Sequence, residues 1–239
     1  MTRPVPSLTA PRKPRKLTVV ERVLPSGLHV AVVRKPGVPL VELRLRIPFL
    51  STRPTHPARG ALLSDSMLTG AGDYDLAGLA GAVQGLGGEL SVGVDADRLL
   101  VGAHVLAPNL RPVLAILATV LTESRYPTAE VATERERLVE RLTIARSRPG
   151  VVASEALGRR MWGGHPYAVD LPTPEAVAAA TAAQVRTMHA ELVRPSRAML
   201  VIVGDISPNR ALDQVEAALA PWTGAAPASR VPALPPPPP

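Results

Sequence analysis

Chemistry in a chain without cysteine must come from its histidines, carboxylates and hydroxyls. The five histidines are His29, His56, His104, His165 and His189. No two lie three or four residues apart, so none can form the imidazole pair with which one helix face grips a metal ion. His104 falls in an alternating strand pattern and is expected beside the core. Carboxylates gather at Glu134, Glu136 and Glu140, where Glu136 and Glu140 share one helix face in ordinary salt-bridge spacing. Asp65 is placed to cap or pair locally. Its neighbour Ser66 would need a base and an oxyanion hole to act as a nucleophile, and no G-x-S-x-G elbow surrounds it.

Composition narrows the function classes. The 239 residues allow one large domain or two small ones, and the 46% apolar content suffices for a real core. No run of eighteen apolar residues appears, so no membrane span is expected. The N-terminus is basic and proline-rich but has no apolar segment of the secretory kind. A cytoplasmic location is the expectation. The formal charge is +7. Arg3, Arg12, Lys13, Arg15 and Lys16 all precede the first acid, Glu21, and supply five of those charges. The six aromatics (two Trp, three Tyr, one Phe) do not interleave with the basic run, so no nucleic-acid platform is expected.

The elements that must position these groups alternate between strand and helix periods. Residues 1–17 read as a basic, proline-rich disordered tail, residues 18–224 as an α+β domain, and residues 225–239 as an Ala/Pro-rich linker closing on five prolines. Residues 21–34 read as a hairpin turning at Pro25-Ser26-Gly27. Residues 41–47 alternate strictly, with Val41, Leu43, Leu45 and Ile47 against Glu42, Arg44 and Arg46, a half-buried strand. Helices are expected over 59–69 and 75–86, the second burying Leu76, Leu79, Ala80, Val83 and Leu86 and stopping at Gly87-Gly88. Asp73 and Tyr74 should begin it. Strands follow at 89–95 and 98–106, then helices over 110–121 (capped by Asn109), 127–146, 151–162, 173–180 (with Thr173 before Pro174 as cap), 182–193 and 208–219. A buried strand over 198–203 precedes the last helix. Strand pairs beside runs of helices predict an antiparallel sheet packed against helices.

These motifs, in this order, resemble the pitrilysin/insulinase and mitochondrial-processing-peptidase zinc peptidases. The resemblance covers about residues 20–224. It rests on Leu24-Pro25-Ser26-Gly27-Leu28-His29-Val30, on Leu86-Gly87-Gly88-Glu89-Leu90-Ser91 with Asp95-Ala96-Asp97, on His165-Pro166-Tyr167, and on Arg194-Pro195-Ser196-Arg197-Ala198 running to Val203-Gly204-Asp205. The family's active helix carries H-x-x-E-H before a methionine: two histidines bind zinc, and the glutamate between them activates the bound water. A third ligand, a glutamate, comes from a later charged helix.

Anchored on Met67 and Gly70, the resemblance puts Leu62 at the first histidine, Asp65 at the glutamate and Ser66 at the second histidine. Glu134 falls at the third ligand, with Glu136 as the competing choice. Leu62 has no lone pair and Ser66 is a poor neutral ligand, so the implied expectation is no catalytic residue, no bound metal and no cofactor. Family members pair two similar domains, often in two chains, one of which has lost its zinc. The resemblance therefore implies a non-catalytic subunit, or its N-terminal domain. Such a subunit helps enclose an extended peptide for a zinc-bearing paralogous partner. The alternatives are a scaffold homologue without peptide binding and a weak metallopeptidase with a rebuilt site. The terminal prolines favour a chain that is the front half of something longer.

Overall fold

The computed structural model describes residues 17–228 and 230–236. The tail expected over residues 1–17 therefore lies outside the described residues except for Leu17, as do the last three prolines. The chain opens with the expected hairpin, β1 (Val19–Val23) and β2 (His29–Arg34), paired antiparallel. Gly27 turns it at φ +85°, a backbone region that costs glycine nothing. The strand β3 (Leu40–Pro48) and the hairpin β6 (Glu89–Val94) and β7 (Arg98–Leu106) also lie where periodicity put them, and β8 (Met199–Gly204) completes the sheet. Between β3 and β6 come α1 (His56–Ser66), a two-residue ladder β4 (Gly70–Ala71) with β5 (Tyr74–Asp75), and α2 (Leu76–Gly85). The remaining helices are α3 (Leu110–Glu123), α4 (Thr128–Arg146), α5 (Pro149–Trp162), α6 (Pro174–Ala178), α7 (Ala182–Leu192) and α8 (Pro208–Leu219).

The six-stranded sheet has the order β1-β2-β8-β3-β7-β6. Every pairing is antiparallel except β2 with β8, which run parallel. The fold class is the expected α+β with a mostly antiparallel sheet. Strict alternation along β3 decides which face is buried. Val41, Leu43, Leu45 and Ile47 sit in register with Val105, Ala103, Val101 and Leu99 of β7 and are almost wholly buried. Val30, Val32, Leu200 and Ile202 extend that face across β2 and β8, and helices including α3 and α8 cover it. Burying a side chain of this size stabilises the fold by about 1.5–3 kcal/mol, so this face dominates the energetics. The opposite face carries Glu42, Arg44, Arg46, Leu100, His104 and Met199.

Five local expectations change. The first helix starts at His56 rather than residue 59, because Pro57 fits its first turn, where no amide hydrogen is needed. Asp73 and Tyr74 do not start α2. Tyr74 pairs in the small ladder, and Asp75 caps the helix by accepting from the Gly78 amide at 2.7 Å. Leu76 and Ala80 of α2 are exposed, so only Leu79 and Val83 enter the core. Asn109 does not cap α3: its Nδ2 donates to the Leu86 carbonyl at 2.8 Å, tying the end of α2 to the start of α3. His104 faces solvent beside Glu89 at 3.8 Å, because it shares the polar phase of β7. Thr173 caps α6 as expected.

After α8, Trp222 is buried and its indole N–H donates to the Val193 carbonyl at 3.0 Å. From there residues 225–228 and 230–236 run without helix or strand. Arg197 Nη2 donates to Pro227 O at 3.3 Å and His165 Nε2 to Pro232 O at 3.2 Å, so this segment lies against the body of the domain.

Candidate functional site

The site that the sequence singles out lies where α1 meets α4. Leu62 and Ser66 are one turn apart on α1 and share a face, and both are buried. Leu62 is core, surrounded by the same apolar cluster that holds Leu63 and Met67. The Ser66 hydroxyl is buried and finds no hydrogen-bond partner among the described residues. Its carbonyl accepts from the Thr69 hydroxyl at 2.8 Å, which secures the end of the helix.

Asp65 is turned toward α4. Arg141 Nη2 donates to its Oδ2 at 2.5 Å, with the aspartate side chain 27% exposed and the arginine 55%. Burial raises the Asp65 pKa above its ordinary value, the Arg141 hydrogen bond and charge oppose that rise, and the charge of Glu134 adds to it. Asp65 and Glu134 therefore feel each other across the helix contact. The structure brings together the two carboxylates that the sequence put at one site. Glu134 is itself held by Arg137 at 2.7 Å, one turn along α4. Among the described residues Glu136 makes no ion pair.

Arg141 was not foreseen. It lies seven residues after Glu134, two turns along the same helix face, and that spacing is the signal that could have found it.

Could these residues hold zinc? The ion takes about four ligands, mostly imidazole, thiolate or carboxylate. Here the two carboxylates each face an arginine, Leu62 offers no donor, and Ser66 offers a neutral hydroxyl. Among the described residues no group of three or more His, Cys, Asp or Glu could hold a metal ion. The residues do not fit the group. Ser66 has no base within reach either, so the site offers packing and an ion pair rather than chemistry.

The histidines are spent elsewhere. His56 is buried against Phe49 and its Nε2–H donates to the Phe49 carbonyl at 2.6 Å. His189 donates from Nε2 to the Leu121 carbonyl at 3.1 Å, which leaves Nδ1 to accept from the Tyr126 hydroxyl at 2.8 Å. Burial lowers the pKa of both imidazoles, with Arg53 and Arg194 respectively adding to the effect, while each backbone hydrogen bond opposes it. His165 accepts at Nδ1 from the Tyr167 amide, and Tyr167 in turn donates to Asp97 at the β6–β7 turn.

The fold and this geometry meet known proteins. Residues 179–239 match the family model described as the peptidase M16 inactive domain. Over 195 residues the chain is 23% identical to an uncharacterized zinc protease of Mycobacterium leprae, covering 80% of this chain and 44% of that protein. A Streptomyces coelicolor protein of the same description is 24% identical over 207 residues, covering 84% and 44%. The chain thus spans less than half the length of the curated relatives it matches.

Among solved structures, the peptidase M16 inactive domain from Pseudomonas fluorescens superposes with a TM-score of 0.85 at 22% identity, covering 92% of this chain and 55% of that one. The periplasmic protease PqqL from Escherichia coli gives 0.80 at 19%, covering 92% and 26%. Pitrilysin gives 0.76 at 18%, covering 93% and 24%. Likeness at this identity establishes the fold. The resemblance read from the sequence therefore holds: this chain is similar to the pitrilysin/insulinase zinc peptidases and has the fold of their domains.

Proposed function

We propose that this chain is a non-catalytic domain of a heteromeric M16-type peptidase, and that it helps hold an extended peptide for a zinc-bearing partner. The observation that carries the proposal is α1 itself. Leu62 and Ser66, which the resemblance puts at the family's ligand positions, are both buried, and the carboxylates of Asp65 and Glu134 are tied to Arg141 and Arg137. A helix rebuilt for packing supports a role that survives loss of the metal. Peptide holding is such a role. The strand β6 ends the sheet, and an extended peptide can add to a free strand edge through backbone hydrogen bonds with little demand on sequence.

The test is reconstitution. The chain is purified with a zinc-bearing paralogue and peptide cleavage is measured with and without it. The proposal expects cleavage by the partner to rise when this chain is present and this chain alone to be inactive. A partner that cleaves equally well alone overturns the proposal, and stoichiometric zinc on this chain would instead support the rebuilt-site reading.

A further inference from the structure

A cleft of about 540 Å³ opens away from the α1–α4 contact, where the loop after Phe49 leads into α1. The helix α7 forms a second wall and the segment after α8 a third. Guanidinium groups reach it from separate stretches of chain: Arg53 from the loop, Arg59 from α1 and Arg230 from the C-terminal segment. One carboxylate, Glu191, stands with them. His56 also lines the cleft, but its Nε2–H is committed to Phe49.

Two features of this cluster fit an anionic occupant. Arg22, Arg98, Arg137, Arg141 and Arg146 each face a carboxylate of the domain. Among the described residues the guanidinium groups of Arg53, Arg59 and Arg230 face none. The third cation is also delivered by design of the chain path. Arg230 lies between the two points at which the C-terminal segment is fastened, Pro227 to Arg197 and Pro232 to His165. Beside the cations, Leu50 and Met188 give the cleft apolar wall, both largely buried.

We propose that this cleft binds an acidic peptide segment, its carboxylates on Arg53, Arg59 and Arg230 and its apolar side chains against Leu50 and Met188. The planar guanidinium fork matches a carboxylate with two parallel hydrogen bonds. The volume falls within the range of roughly 300–1,000 Å³ typical of ligand sites. A bare inorganic anion would leave most of that space and the apolar wall unused. The proposal rests on the peptide-holding reading above and names the kind of sequence held.

Isothermal titration of the full chain tests it. The probes are a short end-blocked peptide of alternating glutamate and alanine, its glutamine counterpart, and inorganic phosphate. The glutamate peptide is expected to bind and the glutamine peptide not to. Arg59→Gln and Arg230→Gln should each raise Kd about tenfold, near 1.4 kcal/mol, while Arg210→Gln on α8 leaves it unchanged. Arg230 lies outside any helix or strand, so its replacement cannot act by unfolding an element. Equal binding of the glutamine peptide, indifference to both arginine variants, or binding of phosphate alone overturns the proposal. No partner is present in this titration, so its failure leaves the reconstitution test standing. A negative reconstitution beside a positive titration would instead leave an acidic-peptide binder with no peptidase to serve.

Discussion

Arg141 on α4 reaches Asp65 on α1 at 2.5 Å, and this one ion pair joins the helix that would carry a peptidase's ligands to the helix that would carry its last one. The pair is partly exposed, which limits its worth to about 1 kcal/mol. Its direction with pH is nonetheless specific. Burial holds the folded-state pKa of Asp65 above its ordinary value of 3.8, so the folded state keeps the proton longer than the unfolded chain. The stability from this group is full below that ordinary value and declines as pH rises through the raised folded value. Arg141→Met removes the opposing charge, so the decline should steepen and reach higher pH. Denaturant midpoints measured across mildly acid pH check it; an unchanged slope would mean the pair is not felt.

Ser66 supplies a second test. Its hydroxyl is buried without a partner among the described residues, and an unmade hydrogen bond of this kind costs about 1–3 kcal/mol. Ser66→Ala should therefore leave stability unchanged or raise it by up to about 1 kcal/mol, unusual for a buried polar position. A loss above that size would show that the hydroxyl is bonded in solution.

Rebuilding the metal site is a third. Leu62→His, Asp65→Glu and Ser66→His together restore the family's motif facing Glu134. Without metal the variant should be less stable than the parent by about 2–5 kcal/mol, since Leu62 is fully buried core. Added zinc should recover part of that loss, because a metal that binds only the folded state shifts its melting upward. Thermal melts with and without zinc read both effects. A variant that folds and whose melting ignores zinc discredits the placement of Leu62, Ser66 and Glu134.

Acid should weaken the protein through two histidines. His56 and His189 both have folded values below the ordinary 6.5. The stability they contribute is full above that value and is lost as pH falls through the folded ones. Urea midpoints should drop below about pH 6.5, and the double variant His56→Gln, His189→Gln should flatten the drop. Tyr126→Phe removes the hydroxyl that donates to His189 Nδ1 and should cost about 1–2 kcal/mol at neutral pH.

How much of this was legible before the fold was known depends on the range of the force involved. The hairpin at Gly27, the alternation of β3 and the cap at Thr173 are local, written within a few residues, and they stand where expected. Asn109 looked like a cap because capping is also local, but a carbonyl twenty-three residues back competed for its side chain and won. The face of His104 depended on the phase of β7, which Gly102 and Ala103 blur by offering little hydrophobic contrast. The approach of Asp65 to Glu134 was legible only through resemblance. No periodicity relates α1 to α4, and Arg141, which mediates their contact, belongs to neither motif. The arginine cleft was not legible at all, since its three cations are joined only by the path of the chain.

The parallel pairing of β8 with β2 has a consequence for how the protein comes into being. β8 is the last strand of this sheet to be made, yet it sits between β2 and β3, with residues 49–198 synthesised first. Until it arrives, β2 and β3 each present a bare edge, and the apolar row from Val30 to Ile47 is split down the middle. Such long-range closure is slow, and the waiting edges invite pairing with other chains. A nascent chain of this domain is thus most exposed to misassembly until β8 emerges, and a fragment ending before Met199 would lack the strand that joins β2 to β3.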